Sequence, residues 1–216
     1  MLPTTRPTTL VVVSGTGTEI GKTWVTAALA RGLQDDGVAV AARKPAQSFA
    51  ADDLHARDAD VLADATGEPP DAVCPSHRSY ATAMAPPMAA DALGLDPFTI
   101  ADLAAETTWP AGLDVGLVEG AGGPRSPLAS DGDTVDLARA LAPDAIVLVG
   151  DAGLGTINGV RLAIEPLHAV APVVVFLNRF TDTDDLHRRN RSWLARDFDV
   201  AVQIGDLVDR FSGQRP

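Results

Sequence analysis

Lysine is almost absent from this 216-residue chain. Of its 17 lysine and arginine residues only two are lysine, Lys22 and Lys44. The compact ammonium of lysine fits a tight phosphate cradle better than the wide planar guanidinium of arginine. Lys22 lies in a glycine-rich stretch and Lys44 at the end of a predicted strand. We therefore predict that both side chains contact phosphate.

The chain also lacks a second cysteine and any long apolar run. Cys74 is its one cysteine, so no internal disulfide can form, which is typical of proteins in a reducing cytosol. The apolar run at residues 10–13 is too short for a signal peptide or a membrane span. These features predict a cytoplasmic protein that does not bind a membrane.

Positive charge is scarce as well, because the formal net charge is −12. An acidic surface repels phosphate backbones and anionic lipids, so we expect neither nucleic acid nor membrane as a partner. The basic stretch at residues 187–191 is the local exception, and we interpret it as a solvated helix face. Aromatic residues make up 5% and apolar residues 46%, which predicts a folded core of small aliphatic side chains.

Apolar strands alternate with amphipathic helices along the chain. This alternation is typical of βαβ units, and the nearly continuous apolar strands favour a sheet covered on both faces. We predict an α/β fold, a P-loop NTPase-like, mostly parallel sheet with helices on both faces. Residues 1–216 are expected to form one domain, with a weak last strand at 200–204 and a weakly ordered tail at about 205–216.

The strongest motif is GTGTEIGKT at residues 15–23, which follows a predicted strand and opens a predicted helix. Amide groups of such a loop and the helix dipole bind phosphate oxygens. Lys22 would contact the β- and γ-phosphates and the Thr23 hydroxyl would bind Mg²⁺. A dinucleotide-binding loop is the alternative, but it would need Gly or Ala at Ile20 and no Lys-Thr pair.

A second acid-bearing strand completes the predicted nucleotide site. The apolar strand at 115–119 ends in Glu119, and such an acid supplies the hard oxygen ligand that Mg²⁺ prefers. Gly120, Gly122 and Gly123 follow and allow close approach of backbone to phosphate. The alternative is that Glu119 is a surface residue at the end of its strand.

Several motifs in order along residues 9–180 resemble those of the dethiobiotin synthetases. The phosphate loop has five residues between Gly15 and Gly21 where a standard P-loop has four, as in that family. The other similar motifs are KPAQS at 44–48, VEGAGG at 118–123, LGTIN at 154–158, and Asn178 after a strand. The phosphate loop and the VEGAGG motif are specific, and the other motifs are individually weak.

The resemblance implies a reaction and a set of site residues. Mg-ATP would drive the joining of 7,8-diaminononanoate (7,8-diaminopelargonate) and CO₂ or bicarbonate into dethiobiotin, with release of ADP and phosphate. Lys44, Lys22 and Thr18 would be catalytic, and Mg²⁺ would be held by Thr23, Asp58 and Glu119. The nucleotide contacts would come from Gly17, Thr18, Glu19, Ile20, Gly21, Lys22, Thr23, Glu119, Gly122 and Asn178.

The resemblance further implies how the diamine is bound. Ser48 would contact the carbamate, and the start of the helix at Gly155, Thr156 and Asn158 would bind the diamine carboxylate. That carboxylate would belong to the substrate of the neighbouring subunit, so a homodimer is implied. An ordinary helix cap by Thr156 or Asn158 is the alternative. For the metal, Asp58 competes with Asp52, Asp53 and Asp60, or caps a helix.

Some residues depart from the family pattern and leave alternatives open. Phe49 stands where the family usually has Gly, the 85–88 segment matches its substrate loop loosely, Pro124-Arg125 is unusual after the glycines, and Gly205-Asp206-Leu207-Val208 replaces its Gly-x-x-Pro. The base preference and the amine acceptor are therefore open.

Two other protein classes are alternatives. A partitioning-type ATPase switch would carry a second lysine early in the loop, and a cobyrinate-type amidotransferase would need a further domain. A relative that binds nucleotide without the diamine chemistry stays possible.

Overall fold

A six-stranded parallel sheet is the centre of the computed structural model, which describes residues 6–52 and 56–213. Its strand order is β10-β9-β8-β1-β5-β2, and every neighbouring pair is parallel. The strands are β1 (Thr9–Gly15), β2 (Val40–Arg43), β3 (Gln47–Ser48), β4 (Ser79–Tyr80), β5 (Val115–Glu119), β6 (Pro127–Ala129), β7 (Gly132–Asp133), β8 (Ala145–Asp151), β9 (Val173–Asn178) and β10 (Asp199–Ala201).

Helices cover both faces of this sheet. They are α1 (Lys22–Asp35), α2 (Asp58–Thr66), α3 (Pro70–Val73), α4 (Pro86–Ala92), α5 (Ile100–Glu106), α6 (Thr134–Leu141), α7 (Thr156–His168), α8 (Asp185–Leu194) and α9 (Ile204–Phe211). None of the helices within residues 6–52 and 56–213 is long and apolar enough to cross a bilayer.

The core consists of two layers, because successive strand residues point to opposite faces. Leu10 and Val12 pack with α4 to α8 on one face, whereas Val11 and Val13 pack with α1, α2, α3 and α9 on the other. The small aliphatic core and the predicted α/β, P-loop NTPase-like fold are thereby confirmed.

The sheet register brings the carboxyl ends of the central strands to one edge. Val13 of β1 lies beside Glu119 of β5, Arg43 of β2 lies beside Val118, and Asp151 of β8 lies beside Asn178 of β9. In open parallel sheets this edge is where ligands bind. The loops that follow β1, β2, β5, β8 and β9 therefore surround one region.

The predicted weak ordering of residues 205–216 is wrong for most of that segment. Residues 204–211 form α9, and its buried Leu207, Val208 and Phe211 lie in the same core cluster as α1. The predicted strand at 200–204 is shorter, because Ile204 already begins the helix. Burial of one apolar stripe is the physical reason that this segment is ordered. Residues 214–216 lie outside the described residues.

Short elements fill two further segments. Residues 69–87 contain α3, a short 3-10 helix at Ser76–Arg78, β4 and the start of α4. The antiparallel pair β6–β7 was not predicted. Thr99 and Asp102 form a capping box at the start of α5, since Thr99 accepts from the Asp102 amide and Asp102 accepts from the Thr99 amide.

Candidate nucleotide and metal site

The loop between β1 and α1 has positive backbone φ angles at two positions. Gly21 has φ 90°, and a Cβ at this position would lie 2.1 Å from Asn178 Nδ2. Glu19 has φ 59°, which is rare for a residue with a side chain. The loop begins at Thr16, whose amide donates to Val149 O at 2.9 Å. The predicted nucleotide contacts Gly17, Thr18, Glu19 and Ile20 all lie in this loop.

Lys22 is the first residue of α1 and its side chain turns back over the loop. Its Nζ donates to Gly17 O at 2.8 Å. Burial, followed by the positive charge of Lys44, lowers the pKa of Lys22 to about 8, and Glu119 and Asp58 oppose that shift. An ammonium that is buried beside a second cation is stabilised by an added anion. The position suits a phosphate between the loop and Lys22.

Three predicted metal ligands meet beneath the loop. Thr23 Oγ1 lies 2.7 Å from Asp58 Oδ1 and 2.9 Å from Glu119 Oε1. The hydroxyl has one proton and can donate to only one of these two carboxylates. Asp52, a rival for the metal, is exposed, and Asp60 forms an ion pair with Arg57 at 2.8 Å. Asp53 lies outside the described residues.

This oxygen set fits a magnesium ion that is bound together with a nucleotide. Within residues 6–52 and 56–213 no cluster of three or more His, Cys, Asp or Glu side chains could hold a metal. The two carboxylates and one hydroxyl are hard oxygen donors, and Mg²⁺ usually takes its other ligands from phosphates and water. The donor set is therefore the partial one that phosphate-bound magnesium requires.

Lys44 is the buried counter-charge of both carboxylates. Its Nζ lies 2.7 Å from Glu119 Oε1, 2.8 Å from Asp58 Oδ2 and 3.1 Å from Gly120 O. Burial disfavours the charged form, but the charges of Glu119 and Asp58 and their hydrogen bonds outweigh it and raise the pKa of Lys44. Burial likewise acts to raise the pKa of Asp58, but the ammonium and the Thr23 hydroxyl lower it.

The remaining predicted residues are distributed around this centre. Gly122 has φ 61°, and a Cβ there would lie 2.4 Å from Ser126 Oγ and 3.8 Å from Thr18 Oγ1. Ser48 lies in β3, where its hydroxyl donates to Met84 O at 2.5 Å. Asn178 ends β9, and its Nδ2 donates to Ile20 O at 2.8 Å.

The start of α7 lies near the phosphate loop. Gly155 caps the helix in a left-handed conformation with φ 91°, and no side chain caps it, so the alternative of a Thr156 or Asn158 cap is wrong. Thr156 Oγ1 is buried and has no hydrogen-bond partner among the described residues, whereas Asn158 is exposed. A Cβ at Gly150 would lie 3.5 Å from Thr156 Oγ1 and 3.4 Å from Thr16 Cγ2, so both side chains border one spot.

Sequence reasoning missed four residues that hold the site in place. Thr26 Oγ1 lies 3.0 Å from Glu119 Oε2, and Gln47 Oε1 accepts from the Ala59 amide at 3.0 Å in the first turn of α2. Arg179 donates to Glu19 O and Asp151 Oδ2, each at 3.0 Å. Asn190 Nδ2 donates to Ala152 O and Gly153 O, each at 2.9 Å. None of these contacts has a local sequence signature.

A glycine-rich loop before a helix, an ammonium folded over it and an acid at the end of the neighbouring strand define a P-loop nucleotide-binding protein. A family model described as an AAA domain matches residues 9–202. The ATP-dependent dethiobiotin synthetase BioD of Rhodococcus jostii (strain RHA1) is 44% identical over 165 residues, which cover 74% of this chain and 68% of that protein. The chain belongs to the dethiobiotin synthetase family.

Other relatives carry the same name. The dethiobiotin synthetase BioD of Parafrankia sp. (strain EAN1pec) is 44% identical over 159 residues, which cover 72% of this chain and 64% of that protein. The BioD of Anaeromyxobacter sp. (strain Fw109-5) is 38% identical over 177 residues, which cover 80% of this chain and 78% of that protein. The chain thus spans a little under two thirds of the Parafrankia protein's length.

Solved structures support the fold. The septum site-determining protein MinD from Pyrococcus horikoshii OT3, complexed with Mg-ADP, has a TM-score of 0.52 at 17% identity, covering 91% of this chain and 79% of that one. A plasmid partition protein from Borrelia burgdorferi has a TM-score of 0.55 at 10% identity, with 95% of each chain covered. At such identities the likeness extends to the fold, and the named relatives favour a synthetase over a partitioning switch.

Proposed function

We propose that this chain is an ATP-dependent dethiobiotin synthetase that joins CO₂ and 7,8-diaminononanoate into a ureido ring, releasing ADP and phosphate. The observation that carries this proposal is the meeting of Thr23, Asp58, Glu119 and Lys44 beneath a phosphate loop. Two carboxylates and a buried ammonium at the γ-phosphate position suit phosphoryl transfer, in which catalysis is mainly positioning and charge neutralisation. No covalent enzyme nucleophile is needed.

We propose that Thr23, Asp58 and Glu119 hold Mg²⁺ through one hydroxyl and two carboxylates. When bound, the ion supplies a Lewis acid that offsets charge on the β- and γ-phosphates. Lys22 would turn from Gly17 O towards the phosphates. The ammonium of Lys44, which contacts the same two carboxylates, would offset charge on the γ-phosphoryl group together with Thr18.

In the reaction, a carbamate formed from one substrate amine and CO₂ attacks the γ-phosphorus of ATP, and ADP leaves. The second amine then attacks the carbonyl carbon of the resulting mixed anhydride, and phosphate leaves as the ring closes. The residues of the chain act by holding the reacting groups in line. We propose that Ser48, four residues beyond Lys44, contacts the carbamate.

We propose that Asn178 selects the base. Because its Nδ2 donates to Ile20 O at 2.8 Å, the amide orientation is fixed and Oδ1 is the atom that can accept from a ligand. No donor among the described residues reaches Oδ1. An amino group such as that of adenine would donate a hydrogen bond to Oδ1. A base with a carbonyl at that place would bring its oxygen against the lone pairs of Oδ1, with no proton between the two atoms.

We propose that the start of α7 binds the substrate carboxylate in a homodimer. The amide group of Gly155, the Asn158 side chain and the Thr156 hydroxyl, which has no partner among the described residues, would serve that carboxylate. Leu154 is 92% exposed and Leu162 is 65% exposed, which supports a contact with a second copy here. In sedimentation, Leu162→Arg is expected to favour the monomer, and Leu95→Arg, on an exposed leucine that follows α4, serves as the control.

A coupled assay tests the synthetase function. The protein is incubated with Mg-ATP, bicarbonate and 7,8-diaminononanoate, phosphate release is measured, and dethiobiotin is identified by mass spectrometry. Phosphate release is expected to require the diamine and to match dethiobiotin formation mole for mole. Phosphate release that does not depend on the diamine would show that the proposed function is wrong and that the nucleotide site serves another reaction. The cytoplasmic location and the single synthetase domain stay predictions.

A further inference from the structure

A cavity adjoins the phosphate loop on the side away from Lys44. It has a volume of about 560 Å³ and lies between the first turn of α1, the end of β9 and the segment that leads from β10 into α9. Gly21 and Asn178 line it, so it is continuous with the loop that binds phosphate. The other lining residues are Trp24, Phe176, Arg179, Phe180, Val202, Gln203 and Ile204.

Trp24 is a large aromatic side chain in this cavity whose ring is exposed. It follows Thr23 on α1, is 58% exposed and belongs to neither core cluster. The other two tryptophans each have an arginine over the ring, at 4.9 Å for Trp109 and 4.2 Å for Trp193. Among the described residues no cation or ring lies within stacking distance of Trp24. An exposed aromatic face of this size in a cavity lined by both apolar and polar residues favours a flat ligand.

The other two aromatic rings at the cavity, those of Phe180 and Phe176, already pack against other residues of the protein. Phe180 packs against the core cluster, lies 6.1 Å from the ring of His187 and has the guanidinium of Arg191 at 5.8 Å. Phe176 is buried in β9 at 2% exposure. Trp24 therefore offers the free stacking surface.

We propose that Trp24 supplies the stacking face for the nucleobase of the bound nucleotide. The proposal rests on the proposed function in that the nucleotide is taken to bind with its phosphates at Lys22 and Thr23, which places the sugar and base beside the next residue of α1. Stacking on an aromatic ring accepts any base, because every base has a π-face. Trp24 therefore sets the affinity for the base, while Asn178 Oδ1 sets the choice between amino and carbonyl bases.

Calorimetry with three ligands tests this role. Mg-ATP, Mg-GTP and Mg-tripolyphosphate are titrated into the wild type, Trp24→Ala and, as control, Trp193→Ala, whose tryptophan is 45% exposed on α8. Trp24→Ala is expected to weaken ATP and GTP by the same factor, roughly tenfold, and to leave tripolyphosphate within about twofold of wild type. Trp193→Ala is expected to change none of the three, and Trp24→Phe to retain most of the ATP affinity.

Two results would overturn the proposal. One is an unchanged ATP affinity in Trp24→Ala, and the other is an equal loss for tripolyphosphate, which would place the effect in the phosphate loop. The synthetase function is judged separately in the diamine assay, where Trp24→Ala is expected to raise the KM for ATP with little change in kcat. A wild type that binds ATP but shows no diamine-dependent phosphate release would refute the synthetase function and leave the stacking role of Trp24 to be decided by calorimetry alone.

Discussion

Lys44 occupies a position in which no other cationic side chain fits equally well. Its ammonium makes three short contacts with Glu119, Asp58 and Gly120 from a side chain that is 3% exposed. A guanidinium is planar and wider, so it cannot place one nitrogen at all three acceptors without displacing its neighbours. The fully buried Glu119 carboxylate would then be partly unpaired, which is costly.

We expect Lys44→Arg to lower kcat by about a hundredfold or more while nucleotide still binds, because we propose that the Lys44 ammonium neutralises charge on the γ-phosphate and a guanidinium would place its charge elsewhere. Diamine-dependent phosphate release and calorimetry with ADP measure the two effects. Arg43→Lys is the matched control, because Arg43 is the neighbouring buried cation but donates to Thr108 O at 2.7 Å and pairs with Glu68. The Arg43→Lys control should lose stability without a comparable loss of kcat. A Lys44→Arg variant with normal turnover would refute the proposed role of Lys44 in charge neutralisation.

Thr26 orients the acid that we propose as a metal ligand. The side chain is fully buried, and its hydroxyl lies 3.0 Å from Glu119 Oε2 and 2.9 Å from Lys22 O. We expect Thr26→Val, which keeps the shape but removes the donor, to weaken Mg²⁺ binding roughly tenfold, because lost partners of metal ligands have effects of this size. The Mg²⁺ dependence of ATP binding measures it. Thr26→Ser should restore the affinity, and an unaltered Mg²⁺ dependence in the valine variant would contradict the role.

The major strands and helices were predictable because their periodicity is strong. Buried parallel strands such as β5 are continuous apolar runs, and its prediction matches to the residue at Val115–Glu119. The pair β6–β7 escaped prediction because two- and three-residue strands have no periodicity. Helix α9 does have a signal, with Ile204, Leu207, Val208 and Phe211 at helical spacing, but its place at the chain end favours the interpretation as a tail.

The residues of the candidate site likewise fall into those that local sequence motifs predict and those that only tertiary contacts bring into place. Thr23 and Glu119 follow from local motifs, whereas four aspartates competed for the remaining metal position. Gln47 helps to hold Asp58 near Thr23 by accepting from the Ala59 amide in the first turn of α2, a contact between residues 12 positions apart with no sequence signature. The contacts of Thr26, Arg179 and Asn190 are likewise tertiary, so they could be found only in the folded chain.

The segment between β8 and α7 is held from outside by α8. Asn190 Nδ2 donates to Ala152 O and Gly153 O, and the side chain is buried. We expect Asn190→Ala to lower the free energy of unfolding by roughly 1–3 kcal/mol, because it leaves the buried Ala152 carbonyl without its donor. The KM for the diamine should rise, while ATP affinity stays near wild type. Arg189→Ala, which removes an exposed pair with Asp185, is the control and should change stability by less than about 0.5 kcal/mol.

Cys74 reports on the integrity of the whole fold. It lies in the core cluster on the α1 side of the sheet at 3% exposure, and burial raises the pKa of its thiol to about 12 from an ordinary value of 9.0. The thiolate is the reactive form, so the folded protein should be nearly inert to iodoacetamide at pH 8. We expect alkylation, followed by mass spectrometry, to be slow in native buffer and fast in guanidinium chloride. Rapid native-state labelling would show that this side of the core opens readily.

The raised pKa of the Cys74 thiol makes the free energy of unfolding decrease as the pH rises. An acid whose pKa is higher in the folded state keeps its proton there, whereas the unfolded chain releases it above about pH 9. The contribution of Cys74 to stability is therefore complete below pH 9 and is lost progressively as the pH rises towards 12. Since other groups titrate in this range, the comparison is between wild type and Cys74→Ala in urea unfolding at pH 8, 9.5 and 10.5. The alanine variant should be less stable at pH 8, and the difference should narrow as the pH rises. A gap that stays constant would mean that the Cys74 thiol does not titrate differently in the folded and unfolded chains.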